Sequence, residues 1–203
     1  MSIIGICGGT GCGKTSIAQK IGSSVGSVTI LHLDDFYKSL DTPELQKQAA
    51  ENEYNFDHPD AIDFNLLRTT LETLKSGEPA TVPIYQHSTH TVVGARNVDP
   101  AKVIIVEGIH VFTDPAVREL FDLSIFVDVD ADTRLARRIR RDISDRNRTV
   151  VSVLDQYEKF VKPAYDLFIA PCKRFADIIV PGGAENEVAI DMIMTKINAI
   201  GAV

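Results

Sequence analysis

Short, nearly unbroken apolar runs alternate along this chain with longer stretches whose apolar positions recur every three or four residues. Residues 3–7, 28–33, 103–106, 123–129 and 177–180 are dominated by Ile, Val and Leu, the pattern of strands buried on both faces. Residues 14–25 place Ile17, Ala18 and Ile21 at helical spacing. Residues 62–76 carry Leu66, Leu67, Leu71 and Leu74 on one side, with Asp60 or Asp63 as the N-cap. Residues 186–200 predict a last helix in which Val188, Ile190, Met192, Ile193 and Ile197 are mostly buried. Five such strands separated by helices predict an α/β fold, a five-stranded parallel sheet with helices on both faces. Residues 80–98 break the alternation. Pro79 and Pro83 occur with β-formers at 81–85, a second β-forming stretch follows at 91–93, and a hairpin-like insertion at the mouth of the sheet is predicted. No repeat, low-complexity tract or linker divides the chain, so one domain over residues 1–203 is expected.

Composition narrows the function. The net charge of -7 over 203 residues gives no general attraction to polyanions, which argues against nucleic-acid polymers as partners. No apolar run approaches the roughly eighteen residues that span a bilayer. Three cysteines, Cys7, Cys12 and Cys172, have no paired or metal-ligand spacing, and no secretory signal is read. Reduced thiols and a cytoplasmic setting follow as expectations.

Gly8-Gly9-Thr10-Gly11-Cys12-Gly13-Lys14-Thr15 sets Gly8 and Gly13 with four residues between them, followed by Lys and Thr, between a predicted strand and a predicted helix. This is the phosphate-binding loop of a nucleoside triphosphate site. Its glycines let backbone N–H groups turn around phosphate oxygens, where the helix N-terminus adds partial positive charge. Lys14 is expected to reach the β- and γ-phosphates, and Thr15 to offer its hydroxyl to Mg²⁺. Cys12 lies within the loop, either as a small filler or as a thiol perturbed by the helix end.

Ligands of open parallel sheets sit beyond the carboxyl ends of the strands. Two acidic sites qualify there: Asp34-Asp35 after residues 28–33, and Glu107 after residues 103–106. A carboxylate at such a place takes a proton from an attacking hydroxyl or holds Mg²⁺. Spacing alone does not choose between Asp34 and Asp35. Arg134, Arg137, Arg138, Arg140, Arg141, Arg146 and Arg148 put seven guanidinium groups into fifteen residues. Arg134, Arg138 and Arg141 share one helical stripe suited to clamping phosphate. The alternative is a solvated face pairing with Asp142 and Asp145. The loops containing Phe56-Asp57-His58 and Tyr85-Gln86-His87-Ser88-Thr89-His90 combine aromatics with hydrogen-bonding groups, as a pocket for a flat polar ring would. Zinc ligation by His87 and His90 is disfavoured, since no cysteine or helical His repeat completes a site.

Taken together these segments resemble the uridine kinase (uridine-cytidine kinase) family of phosphate-loop nucleoside kinases. The resemblance rests on GGTGCGKT at 8–15, LDDFY at 33–37, FDHPDAID at 56–63, VEGIHVF at 106–112 and FVDVDADTRLARRIRRDISDRNR at 126–148. Gln156-Tyr157, the run at 160–163 and the segment at 176–181 extend it over nearly the whole chain. It implies the P-loop kinase fold, with a base-pocket hairpin at 80–98 and an Arg-rich lid at 134–155. It implies transfer of the γ-phosphate of ATP or GTP, with Mg²⁺, to the 5′-hydroxyl of uridine or cytidine. By this similarity Asp34 is the general base, aided by Lys14, Arg138 and Arg141. Thr15, Asp34 and Glu107 surround Mg²⁺, and Arg141 and Arg146 join the phosphate loop in holding ATP. Asp57 and Arg138 hold the ribose hydroxyls; Tyr37, Phe56, Tyr85, His90, Arg148 and Gln156 line the base pocket.

The family is also typically homotetrameric and inhibited by UTP or CTP, features carried here by analogy. Three positions depart from the family pattern: His87 replaces an aromatic ring, Val92 an arginine and Asn147 a glycine, though asparagine tolerates a left-handed backbone better than most residues. Two other readings stay open. One is a kinase of the same fold acting on pantothenate, ribulose 5-phosphate or nicotinamide riboside. The other is a nucleotide-binding switch that acts through a partner protein.

Overall fold

The computed structural model describes residues 1–51 and 53–201, so position 52 and the last two positions of the expected domain lie outside the described residues. The chain runs β1 (Ser2–Cys7), α1 (Lys14–Ser24), β2 (Val28–His32), α2 (Pro43–Ala50), α3 (Phe64–Lys75), β3 (Ala80–Gln86), β4 (Thr91–Val98), β5 (Val103–Gly108), α4 (Pro115–Arg118), β6 (Leu123–Asp128), α5 (Ala131–Arg146), α6 (Val150–Gln156), α7 (Lys162–Ala164), β7 (Ile178–Pro181) and α8 (Glu187–Gly201). All five strands predicted for the sheet form one parallel sheet in the order β2-β5-β1-β6-β7. The segment predicted as a hairpin is a separate antiparallel pair, β3 with β4.

The two-residue period of the strands sorts their side chains into two cores. Ile3, Cys7, Ile104, Val106 and Phe126 face Leu67, Leu71 and Leu74 of α3. Their neighbours Ile4, Ile6, Val103, Ile105 and Ile125 face Ile17, Ala18 and Ile21 of α1 and Ile190, Ile193 and Ile197 of α8. Each fully buried Ile or Leu contributes roughly 1.5–3 kcal/mol, so these layers hold the carboxyl ends of the strands rigidly beneath the site.

Caps fix where the helices start. Asp63, not Asp60, caps α3, its Oδ1 accepting from Leu66 N–H at 2.9 Å, and Asn186 Oδ1 accepts from Ala189 N–H at 3.1 Å before α8. The last helix departs from expectation on one face. Ile190, Ile193 and Ile197 are buried, whereas Val188 and Met192 are 71% and 70% exposed. The latter two are four residues apart, so they share a stripe turned away from the sheet.

Candidate functional site

The three segments that follow β1, β2 and β5 meet above the sheet and open into a cavity of about 1050 Å³. Its floor is the loop between β1 and α1. Thr10, Gly11, Gly13, Lys14 and Thr15 line the cavity, while Gly8, Gly9 and Cys12 do not and shape the loop from below. Gly11 has φ +78°, and a Cβ there would collide with the Arg134 carbonyl. Only glycine fits both constraints. Lys14 is nearly buried and donates from Nζ to Gly9 O at 3.2 Å. Cys12 is fully buried with its Sγ 3.9 Å from Lys14 Nζ, which makes it a packed component of the loop.

The geometry separates the adjacent acids after β2. Asp34 lines the cavity with its side chain half exposed, while Asp35 turns away to accept from Arg96 of β4 at 3.0 Å. At the end of β5, Glu107 Oε1 accepts from Thr15 Oγ1 at 2.8 Å and lies 2.8 Å from His32 Nδ1. Burial opposes ionisation of Glu107, yet the hydrogen bonds from His32 and Thr15 and the charge of Lys14 outweigh it and hold the carboxyl below its usual range. Its bond to Glu107 in turn raises the His32 pKa. His32 is a site residue that sequence reasoning missed.

An aromatic wall faces the loop. Tyr37, Phe56, His87 and His90 line the cavity, and Phe56 stacks on His90 with centroids 4.4 Å apart. The hairpin tip is pinned by Leu40 N–H donating to His90 O at 2.9 Å and Val92 N–H donating to Ser39 Oγ at 3.0 Å. His90 adopts φ +55°, and its buried Nδ1 has no protein partner. Tyr85 is displaced from its expected place in the lining. It lies behind Tyr37, ring centroids 5.4 Å apart, with a buried hydroxyl that has no partner. A bulge between Ile84 and Tyr85 sets this orientation. His87 Nε2 is 3.7 Å from Asp34 Oδ2; burial, with Arg146 and Arg141 nearby, lowers its pKa against the pull of Asp34.

The opposite wall is α5 and the turn after it. Arg138, Arg141, Arg146 and Arg148 all line the cavity, as does Gln156. Arg138 donates to Thr10 Oγ1 at 3.3 Å and to Gln156 Oε1 at 2.8 Å, and Arg148 also donates to Gln156 Oε1. Asn147 closes α5 at φ 51°, in the left-handed conformation. Arg134, on the same stripe as Arg138, does not reach the cavity. It is buried with its guanidinium 4.0 Å over the Tyr165 ring and Nε donating to Val129 O at 3.0 Å, against the underside of the loop at Gly9. Nor is the helix face solvated at Asp142, which is fully buried among the arginines. Asp57 lines the cavity and is nearly buried, and burial raises its pKa while Arg138 counteracts the rise. Behind it, His110 is fully buried and donates from Nε2 to Asp57 O at 2.7 Å.

A single cleft therefore joins an anion-binding loop, a carboxylate at the tip of β2, an aromatic slot and a wall of guanidiniums. Such a cleft can align a polyphosphate with a hydroxyl-bearing ring compound. The sequence profile of the phosphoribulokinase/uridine kinase family matches residues 3–189. The chain belongs to this family. It is 50% identical over 200 residues to the chloroplastic uridine/cytidine kinase UKL1 of Arabidopsis thaliana, covering 97% of this chain and 40% of that one. It is 49% identical over 199 residues to the mouse uridine-cytidine kinase-like 1, covering 97% of this chain and 36% of that one. The chain thus spans about two fifths of the length of these relatives. A uridine kinase of Chloroflexus aggregans is 44% identical over 200 residues, with 97% of this chain and 94% of that one covered. Among solved structures, a possible uridine kinase from Bacillus stearothermophilus superposes with a TM-score of 0.61 at 21% identity, covering 88% of each chain. Phosphoribulokinase from Rhodobacter spheroides gives 0.66 at 20% identity, covering 89% of this chain and 69% of that one. At these identities the structures carry the fold of the family, a P-loop kinase sheet with helices on both faces.

Proposed function

We propose that this chain is a pyrimidine ribonucleoside 5′-kinase, transferring the γ-phosphate of ATP or GTP to uridine or cytidine to give UMP or CMP. The observation that carries the reading is that Asp34 shares one cavity with Lys14 and Thr15 on one side and with Tyr37, Phe56, Asp57 and His90 on the other. A γ-phosphate held by the loop and a ribose held at Asp57 would meet at Asp34. The named relatives, two of which share nearly half or more of their aligned residues with this chain, support the choice of nucleoside.

In this reading Asp34 accepts the proton of the 5′-hydroxyl as it attacks. Lys14 and the N–H groups of residues 8–15 hold the donor phosphates, and Arg141 and Arg146 stabilise charge on the transferring group. Asp57 and Arg138 hold the ribose hydroxyls, the carboxylate accepting and the guanidinium donating. Phe56 and His90 pack on and read the base, with Tyr37, Arg148 and Gln156 at its edge and Tyr85 supporting Tyr37 from behind. The donor set fits Mg²⁺: the Thr15 hydroxyl and the carboxylates of Glu107 and Asp34 are hard oxygen ligands. Such an ion takes its other ligands from phosphate and water. Bound there, Mg²⁺ would neutralise phosphate charge.

The same proposal makes residues 1–203 a single kinase domain, with the hairpin at 80–98 as the base-pocket wall and residues 134–155 as a lid that excludes water, which competes with the nucleoside for the γ-phosphate. A cytoplasmic homotetramer belongs to the proposal; Ile84, Val92 and Val93 on the hairpin are exposed apolar surface that assembly would cover. No helix among the described residues is long and apolar enough to cross a membrane.

The test is ADP release by purified protein with Mg²⁺-ATP, comparing no acceptor with uridine, cytidine, adenosine, pantothenate, ribulose 5-phosphate and nicotinamide riboside, with product masses determined. UMP or CMP formation is expected. Turnover with another acceptor alone would discard the substrate, and acceptor-independent hydrolysis alone would favour a nucleotide switch.

A further inference from the structure

Asp142 is a fully buried carboxylate that the proposed chemistry does not use. A buried charge persists only when it is paired, and Asp142 has three cationic partners. Arg141 donates to Oδ1 from Nε at 3.0 Å and approaches it with Nη2 at 2.9 Å. Arg146 Nη1 is 3.7 Å from the same oxygen, and Arg138 Nε is 3.5 Å from Oδ2. These partners differ in exposure: the Arg138 side chain is 6% exposed, whereas those of Arg141 and Arg146 are 40% exposed. All three guanidiniums line the cavity, Arg138 nearly buried in its wall and Arg141 and Arg146 reaching into its open part.

The main chain of Asp142 serves the same cluster. Its carbonyl accepts from Asn147 N–H, the left-handed residue closing α5, and from Arg148 N–H at 3.1 Å. The turn that launches Arg146 and Arg148 is therefore closed on the residue whose carboxylate hydrogen-bonds Arg141 and forms longer ion pairs with Arg138 and Arg146. Without that carboxylate three like charges would face one another in a partly dry cleft, and their long side chains would spread over many rotamers.

We propose that Asp142 is the positioning residue of the arginine wall, aligning the guanidiniums on the phosphates before nucleotide arrives. It touches no substrate and acts through Arg141 and Arg146, each of which has five N–H donors and so retains hydrogens for phosphate oxygens. The role rests on the kinase reading of this cleft.

The test is a double-mutant cycle on kcat per folded molecule, with folding followed by circular dichroism. Asp142→Asn keeps the side-chain volume and removes the charge. It is expected to lower kcat about tenfold in the parent and less than about twofold in an Arg141→Gln/Arg146→Gln background, a coupling typical of contacting residues. Equal factors in the two backgrounds, or full activity of folded Asp142→Asn, would overturn the assignment, because a carboxylate that only supports the fold acts additively. Should Asp142→Asn fail to fold, the unsubstituted protein decides. The guanidinium ¹⁵N–¹H signals of Arg141, assigned by their loss in Arg141→Lys, should show hindered rotation without ligand; free rotation would refute positioning. A parent that phosphorylates no nucleoside would sink the kinase reading instead, and the Arg141 signals would still report whether Asp142 restrains the cluster.

Discussion

His110 donates its Nε2 proton to the carbonyl oxygen of Asp57 at 2.7 Å, across 53 positions of sequence. That bond fixes the tautomer, so Nδ1 accepts from Thr113 Oγ1 at 3.2 Å. The ring ties the end of β5 to the loop bearing Asp57. Burial depresses its pKa to about 4, against the opposing hydrogen bond to Asp57. A histidine whose folded pKa lies below its unfolded value of about 6.5 binds fewer protons folded than unfolded between those values. Its contribution to stability is therefore intact above pH 6.5 and is lost as pH falls toward 4, by at most about 3 kcal/mol. Urea unfolding at pH 7.5 and 4.5 should show His110→Gln less acid-sensitive than the parent. An equal acid-induced loss in both would show that the ring is not held neutral.

Asp34 is the only member of its acidic pair that reaches the cleft, and general base catalysis is commonly worth roughly 10²-fold or more. Asp34→Asn is expected to bind nucleotide normally and to lose phosphoryl transfer by about that factor. The comparison is kcat from coupled ADP release with Kd from fluorescent-nucleotide titration. Near-normal turnover of the folded variant would remove Asp34 from the proposed chemistry.

His90 stacks on Phe56 and carries an unpartnered buried Nδ1, a nitrogen available for a base edge. Leaving a ligand group without its partner typically costs 1–3 kcal/mol, so His90→Ala should raise the nucleoside KM by roughly ten- to a hundredfold. The nucleotide Kd should change less than about twofold, since the ring packs on Phe56 of the aromatic wall. Parallel losses of both affinities in steady-state kinetics and titration would place His90 outside the base pocket.

The sheet and the phosphate loop are legible in the sequence because each is written locally, one in strand periodicity and the other in an eight-residue spacing. Interactions between distant segments are not. Asp34 and Asp35 are identical neighbours, and what separates them is Arg96, 61 positions away from Asp35 on the hairpin. Sequence alone puts Tyr85 in the cavity lining, because the bulge that turns it behind Tyr37 is invisible in composition. Arg134 is indistinguishable from Arg138 on a helical stripe, yet a ring from the distant segment around Tyr165 captures it beneath the loop. Asp142 reads as a surface partner of the arginines; it stands four residues from both Arg138 and Arg146, spacing that does suggest a shared anion once the helix is known to be buried there.

Gly11 offers a final check on whether loop shape, rather than loop charge, governs nucleotide binding. Its φ of +78° is strained for any residue with a Cβ, and an added methyl would strike the backbone carbonyl of Arg134, which cannot rotate away. Gly26, by contrast, has an ordinary φ and open space where a side chain would begin, with no atom within 4 Å. Gly11→Ala should therefore weaken ATP binding by about tenfold or more, the effect of roughly 1–3 kcal/mol of backbone strain, while Gly26→Ala leaves it unchanged. Isothermal titration of both variants makes the comparison. Equal ATP affinity in the two would mean that the loop tolerates a shifted backbone and that Lys14 and Thr15 hold the phosphates without help from its conformation.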